Sequence, residues 1–218
     1  MAGILFIISA PSGSGKSTLV SQLRTLVEGL DFSISYTTRA PRGSEENGRE
    51  YYFTTREEFE RLVAAGDFLE WAEVFGNYYG TAVSALRHAK ELGKDLLLDI
   101  DVQGALQVMK KMPQAVSIFI LPPSPEVLEQ RLKNRSAAEK MTDEEVIQKR
   151  LAEAKNEIKK VWDYRYALVN DVLENAVAEM RAIVLFERGD QDCEALAKSC
   201  RTDAASPKLR SVLDAFGE

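Results

Sequence analysis

The sequence predicts an α/β fold, a parallel sheet wrapped by helices, carrying an inserted α+β lobe and a short lid. Three observations predict it. Short apolar runs recur at residues 3–9 (GILFIIS), 95–100 (DLLLDI), 116–121 (VSIFIL) and 166–169 (YALV), as strands buried on both faces require. Helix-like stretches lie between them, at residues 17–27, 82–92, 103–111 and 125–133. Residues 33–81 break this alternation: they are polar, aromatic-rich and turn-rich, so they read as a lobe and not as another βα unit.

Taken in order, the first strand leads into a Gly/Ser-rich turn and then a helix with Leu19, Leu23 and Leu26 at helical spacing. The lobe is expected to hold short strands near residues 32–36, 51–54 and 68–75 around one helix at 56–65. The core resumes at residue 82. Residues 135–142 form a polar stretch flanked by arginine-bearing helices, and 143–160 is a charged helix whose surface pairs at i,i+4 spacing suit a solvated face. Residues 207–216 suggest a short terminal helix. The expected organisation is a core of residues 1–32 and 82–190 with a lid at about 134–143, a lobe of 33–81, and a tail of 191–218.

Composition narrows the function. At 45% hydrophobic and 28% charged, a chain of 218 residues can bury a core as one medium domain. A net charge of −6 argues against a nucleic-acid partner, although arginines focused in one place could still bind phosphate. Cys193 and Cys200 fit no common zinc spacing, and His88 is the single histidine, so reduced thiols and a cytoplasmic protein are expected. The apolar run near the N-terminus lacks a basic flank and is too short to span a bilayer; a buried first strand is expected, and no membrane partner.

The sharpest signal is Ala10-Pro11-Ser12-Gly13-Ser14-Gly15-Lys16-Ser17, followed by Thr18. It departs from the phosphate-loop form G-x-x-x-x-G-K-[ST] only at Ala10. Glycines let backbone N–H groups curl round phosphate oxygens, Lys16 reaches the outer phosphates, and the Ser17 hydroxyl suits Mg²⁺. Asp99 and Asp101 end an apolar strand on the edge where such folds bind ligands. Asp99 is the candidate to hold Mg²⁺ through its water shell. A strand-end carboxylate can also cap the next helix, and that reading stays open for one of the pair.

The combination of APSGSGKST, SYTTRAPR, NGREYYF, FLEWAEVFGNYYGT and LLLDIDVQG resembles guanylate kinase, over about residues 3–188. The resemblance implies a P-loop kinase core and transfer of the γ-phosphoryl group of MgATP to GMP, and to dGMP with it, in purine nucleotide metabolism. It implies that Ser12 to Thr18 hold ATP, with Asn170 near the adenine. It implies that Arg39, Arg42, Tyr51 and Tyr79 hold the GMP phosphate, which needs guanidinium forks and hydroxyls. Ser35, Glu70, Thr81 and Asp101 match positions lining the guanine site. Guanine presents N1–H and N2 donors, so it suits carboxylates there, and O6 suits hydroxyls.

An ionised phosphate nucleophile needs no general base, and His88 receives no role. Lys16, Arg39, Arg131, Arg135 and Arg150 are expected to neutralise charge on the transferring group, the last three arriving as a lid closes. The lid departs from the family in reading Asn134-Arg135-Ser136 where Gly-Arg-Gly is usual, and in its greater length. Two rival readings are a non-catalytic binding module and a kinase of the same fold acting on another nucleotide or a sugar phosphate. The intact phosphate loop argues against the first, the base-pocket set against the second. Oligomeric state and the tail's purpose are not legible.

Overall fold

The structure, a computed structural model, describes residues 3–138 and 144–217, excepting the side chains of 135, 137 and 138. The elements in chain order are β1 (Leu5–Ser9), α1 (Lys16–Leu26), β2 (Leu30–Phe32), β3 (Tyr36–Thr37), β4 (Tyr52–Phe53), α2 (Arg56–Ala65), β5 (Phe68–Val74), β6 (Asn77–Ala82), α3 (Val83–Glu91), β7 (Asp95–Asp99), α4 (Val102–Lys111), β8 (Val116–Leu121), α5 (Pro125–Ala138), α6 (Glu144–Ile158), β9 (Tyr166–Val169), α7 (Leu173–Glu187), α8 (Glu194–Ser199) and α9 (Pro207–Phe216). A five-stranded sheet takes the order β2-β7-β1-β8-β9, and a four-stranded one the order β4-β3-β6-β5. Among the described residues, no helix is long and apolar enough to cross a membrane.

Contacts divide the chain into two compact units, and the division falls inside β1. The first unit comprises Met1–Ile7 and Gly29–Ala115, so it groups the lobe with β2, β7, α3 and α4. Here β2 runs parallel to β7, with Phe32 opposite Leu97. The chain leaves that sheet at Phe32 and enters the lobe sheet at Tyr36, so the single strand expected at 32–36 is two strands in two sheets. Strand β6 was not anticipated; it pairs antiparallel with both β3 and β5. The β5–β6 hairpin turns through Phe75 and Gly76, both with positive φ (49° and 77°), the geometry that matches strand twist. Helix α2 keeps its expected bounds because Thr55 caps its start, accepting from Glu58 N–H at 3.2 Å, and Gly66 ends it with φ 74°. Its Phe59 is wholly buried and stacks on Phe68 at 4.5 Å. A Cβ on Gly80 would press both rings, at 3.0 and 3.1 Å, so any side chain there would have to push them aside.

The second unit comprises Ile8–Glu28 and Val116–Glu218. Strands β8 and β9 are buried along their whole length and pair in parallel, Ile118 opposite Tyr166. Helix α7, not anticipated, packs on α1 and α8 and buries Val177, Met180, Ile183 and Val184. Helix α5 runs on to Ala138, into the stretch expected as a lid; residues 139–143 of that lid lie outside the described residues.

The tail belongs to this unit's core. Arg201 bridges antiparallel to Tyr166, and Cys200 O accepts from Ala167 N–H at 2.8 Å. The Tyr166 hydroxyl donates to Glu187 at 2.6 Å. Burial, then that carboxylate, pushes its pKa up to about 12. Helix α9, with Ser206 capping and Pro207 opening it, buries Leu209 and Leu213 against α6 and β9.

Candidate active site

The phosphate loop is built in the second unit. Gly13 and Gly15 adopt φ of 90° and 86°, conformations closed to most L residues, so the glycines of the motif are required by the backbone. Gly15 is the N-cap of α1, and no acidic residue lies in that helix's first turn. The helix therefore presents the positive end of its dipole on the side of the motif glycines, as a phosphate site requires. Lys16 is half-buried, while the hydroxyl-bearing Ser17 and Thr18 are exposed on the first turn.

The loop is braced from behind. Ser14 is wholly buried, its Oγ has no hydrogen-bond partner among the described residues, and its carbonyl accepts from Asn170 Nδ2 at 2.8 Å and from Arg131 Nη1 at 3.3 Å. Arg131 Nη2 also donates to Asn170 O at 3.2 Å. A Cβ on Gly15 would collide with the Asn170 amide, and one on Gly13 would meet Leu128 at 3.1 Å. Asn170 and Arg131 are thus seen as struts of the loop, a contact that sequence reasoning had not assigned to either. Arg150 is 6% exposed and donates from Nη1 to the buried Ser136 Oγ at 3.1 Å, joining α6 to α5. Ser12 is half-buried beside the loop. The side chain of Arg135 lies outside the described residues.

The first unit brings together residues that were expected to hold the second phosphate. Arg39 is buried, and its fork meets the Glu45 carboxylate at two points, Nη1–Oε2 2.9 Å and Nη2–Oε1 3.0 Å. Its guanidinium lies 5.3 Å from the centre of the Tyr51 ring, and Tyr51 and Tyr79 stand 5.9 Å apart. Burial works against the charge on Arg39, but Glu45 and Tyr79 outweigh it and the pKa rises. Arg42 is exposed; its backbone N–H donates to Glu45 Oε2 at 2.8 Å. A carboxylate therefore occupies the guanidinium fork that was expected to take a phosphate. Glu45 was missed in the sequence, where its only signal is an acidic residue three places after Arg42.

Beside this lies a buried carboxylate. Glu70 is 2% exposed, on the inner face of edge strand β5 and opposite Thr81 of β6. Burial raises its pKa most; nearby Thr81 opposes, the Asp101 charge adds, and the result is about 7. Thr81 Oγ1, wholly buried, is near enough to matter electrostatically but forms no hydrogen bond of standard geometry. Ser35 is buried too, its carbonyl accepting from Tyr52 N–H at 2.9 Å. Asp101 is the N-cap of α4: its Oδ1 accepts from Gln103 and Gly104 N–H at 2.8 and 3.0 Å. Of the two aspartates, this is the one that caps a helix. Asp99 is half-buried at the end of β7.

A phosphate-cradling loop on one unit, and on the other a guanidinium–tyrosine cluster next to a buried carboxylate, suit a nucleotide kinase. The family model described as guanylate kinase matches residues 3–187. The guanylate kinase of Koribacter versatilis is 53% identical, over 99% of this chain and 97% of its own. That of Vibrio parahaemolyticus is 48% identical, over 93% and 97%.

The chain belongs to the guanylate kinase family.

A solved guanylate kinase from Anaplasma phagocytophilum has the same fold, with a TM-score of 0.71 and 34% identity over 94% of this chain and 97% of its own. The guanylate kinase model stops at residue 187, so α8 and α9 lie beyond it, yet the Koribacter relative matches nearly the whole chain. His88 is exposed on α3.

Proposed function

We propose that the two half-sites act on one reaction, with the phosphate loop holding ATP and the Arg39–Glu70 half-site holding GMP. The chain is an ATP:GMP phosphotransferase, converting ATP and GMP to ADP and GDP. The observation that carries the assignment of the acceptor is the buried Glu70 carboxylate, 2% exposed and flanked by Thr81 and Asp101. Guanine offers N1–H and N2 donors to such a group. Adenine offers the N1 acceptor, which would leave a buried carboxylate facing a lone pair. Ser35 and Thr81 supply hydroxyls for O6.

Arg39, Arg42, Tyr51 and Tyr79 take the GMP phosphate, which displaces the Glu45 carboxylate from the Arg39 fork. That phosphate is already ionised near neutral pH, so no side chain has to remove a proton. Lys16 and the N–H groups of Gly13 to Ser17 neutralise the outer ATP phosphates, while Arg131, Arg135 and Arg150 stabilise charge on the transferring group. Asn170 stands by the adenine while bracing Ser14.

Mg²⁺ accompanies ATP and, when bound, draws charge from its phosphate oxygens. Each expected donor is an oxygen of the kind a hard cation takes: Ser17 has an exposed hydroxyl and Asp99 a half-buried carboxylate. Among the described residues there is no cluster of three or more His, Cys, Asp or Glu to cage a metal. An ion arriving on ATP with its waters needs only one or two protein oxygens. Cys193 and Cys200 are free thiols, which supports a reducing, cytoplasmic setting. The net charge of −6 supports small-molecule partners over nucleic acid.

A coupled ADP-release assay across GMP, dGMP, AMP, UMP and CMP tests the reading. GMP and dGMP should turn over and the others should be far slower. Comparable turnover of AMP would contradict it.

A further inference from the structure

Glycine is, after proline, the residue that least favours a helix interior, yet Gly104 lies in the first turn of α4 and is buried. Its backbone asks for no special conformation, since its φ is not in the left-handed region. The space its missing side chain leaves is filled: a Cβ there would overlap Glu70 Oε2 and lie 3.0 Å from Glu70 Cδ. The carboxylate is thus seated in a notch on the helix that exists only because residue 104 has no side chain.

The strand bearing Glu70 is held to the same helix. In the order β4-β3-β6-β5, strand β5 is an edge, so its outward carbonyls have no neighbouring strand. Those of Leu69 and Trp71, on either side of Glu70, are taken by side chains of α4. Lys111 Nζ donates to Leu69 O at 2.6 Å, and Gln107 Nε2 to Trp71 O at 2.7 Å. The groups facing Glu70 are then Thr81 from β6, Asp101 at the start of α4, and the ammonium of Lys111 from its end.

We propose that Gly104 and Lys111 are positioning residues for base selection: the first leaves the notch that seats the Glu70 carboxylate, and the second ties the strand that carries it. This rests on the reading of Glu70 as the group that faces guanine. A methyl at residue 104 meets the far end of a flexible side chain, so it displaces the carboxylate and leaves the helix intact. Neither residue touches the nucleotide; both act through Glu70.

The test compares Gly104→Ala, Lys111→Met, Glu70→Gln and the double variant Gly104→Ala/Glu70→Gln. For each, kcat/KM is measured for GMP and for AMP, with the KM for ATP. Gly104→Ala and Lys111→Met should each lower the GMP/AMP ratio about 10-fold or more, the scale of one good base contact, with the ATP KM unchanged. The double variant should lose no more discrimination than Glu70→Gln alone, because both changes act on one carboxylate. Lys111→Met should also move the pH at which GMP binding becomes constant upward, which loss of packing would not do. An unchanged ratio in both single α4 variants, or losses that add in the double variant, would overturn the proposal. An unchanged ratio in Glu70→Gln would instead overturn the reading of Glu70, and the proposal with it. Should Gly104→Ala fail to fold, Lys111→Met decides alone, since it keeps the aliphatic stem and an unchanged ratio there counts against the proposal.

Discussion

The Arg39 guanidinium and the Glu45 carboxylate form a two-point ion pair, with contacts of 2.9 and 3.0 Å and Arg39 only 9% exposed. The fork geometry that fits a carboxylate at two points also fits two oxygens of a phosphate. Burial raises the Glu45 pKa, but Arg39 and the Arg42 N–H lower it more, so Glu45 stays ionised and keeps the fork oriented.

Replacing Arg39 by Met removes that fork and keeps most of the stem. The GMP KM should rise about 10-fold or more, the worth of hydrogen bonds to a charged group, while the ATP KM stays level. Steady-state kinetics with each substrate varied in turn checks this. A rise shared by both substrates, or none for GMP, would contradict it.

Glu70 makes the protein pH-sensitive in a stated direction. Its pKa is raised from an ordinary 4.5 to about 7 in the folded chain. Between those values the unfolded chain has given up a proton that the folded chain still holds. Stability therefore falls as pH rises through that window, by about 3 kcal/mol in all. Denaturant midpoints of the ligand-free protein from pH 4.5 to 8 should show this slope, and Glu70→Gln should lack it. Guanine donors favour the carboxylate, so GMP binding at pH 6 should release about one proton more from the parent than from Glu70→Gln, the phosphate's own protons being common to both. Calorimetry in two buffers of different protonation enthalpy measures it; equal release from the two proteins would contradict the assignment.

Lys16 opens α1 just after the glycine turn, is only half-buried, and contributes little to the core. Lys16→Ala should melt near the parent temperature while kcat falls about 100-fold or more, as when other donors to a charged transition state are removed. Near-parent turnover would contradict its role.

Arg150 is already fixed on α6, 6% exposed and bonded to Ser136. Arg150→Ala should reduce kcat at saturating MgATP and GMP more than Arg135→Ala does. It should also lower thermal stability, because Ser136 and the surrounding groups lose a buried partner. Equal losses in kcat, or a larger one at Arg135, would show that the Asn134-Arg135-Ser136 sequence delivers its arginine as effectively as the family's usual Gly-Arg-Gly.

Local signals dominate where the sequence was legible. Strands β8 and β9 fall on their apolar runs, and α2 and α9 lie between a capping Thr55 or Ser206 and a closing Gly66 or Gly217. Lobe strand β6 was missed because Asn77 to Ala82 carries Gly80, a residue that weakens a strand signal and that here lies against the Phe59 and Phe68 rings. Strand β2 was misread because the bend after Phe32 depends on pairing with β7, which lies some sixty residues away in the chain. The need for glycine at Gly13 and Gly15 could be read from the chemistry of the motif, whereas Arg39 and Glu70 were assigned through the resemblance to guanylate kinase. Glu45, Gln107 and Lys111 could not be read either way, because their partners are chosen by tertiary packing and each alone reads as a solvated charge or amide.

Selection of the acceptor base is proposed to rest on Glu70. The most direct measurement is the ratio of kcat/KM for GMP to that for AMP, in the parent and in Glu70→Gln, which replaces an acceptor-only group by one that also donates. The ratio should fall about 10-fold or more, with GMP losing and AMP losing less or gaining. A ratio unchanged by the substitution, in a variant that still binds ATP normally, would contradict the claim.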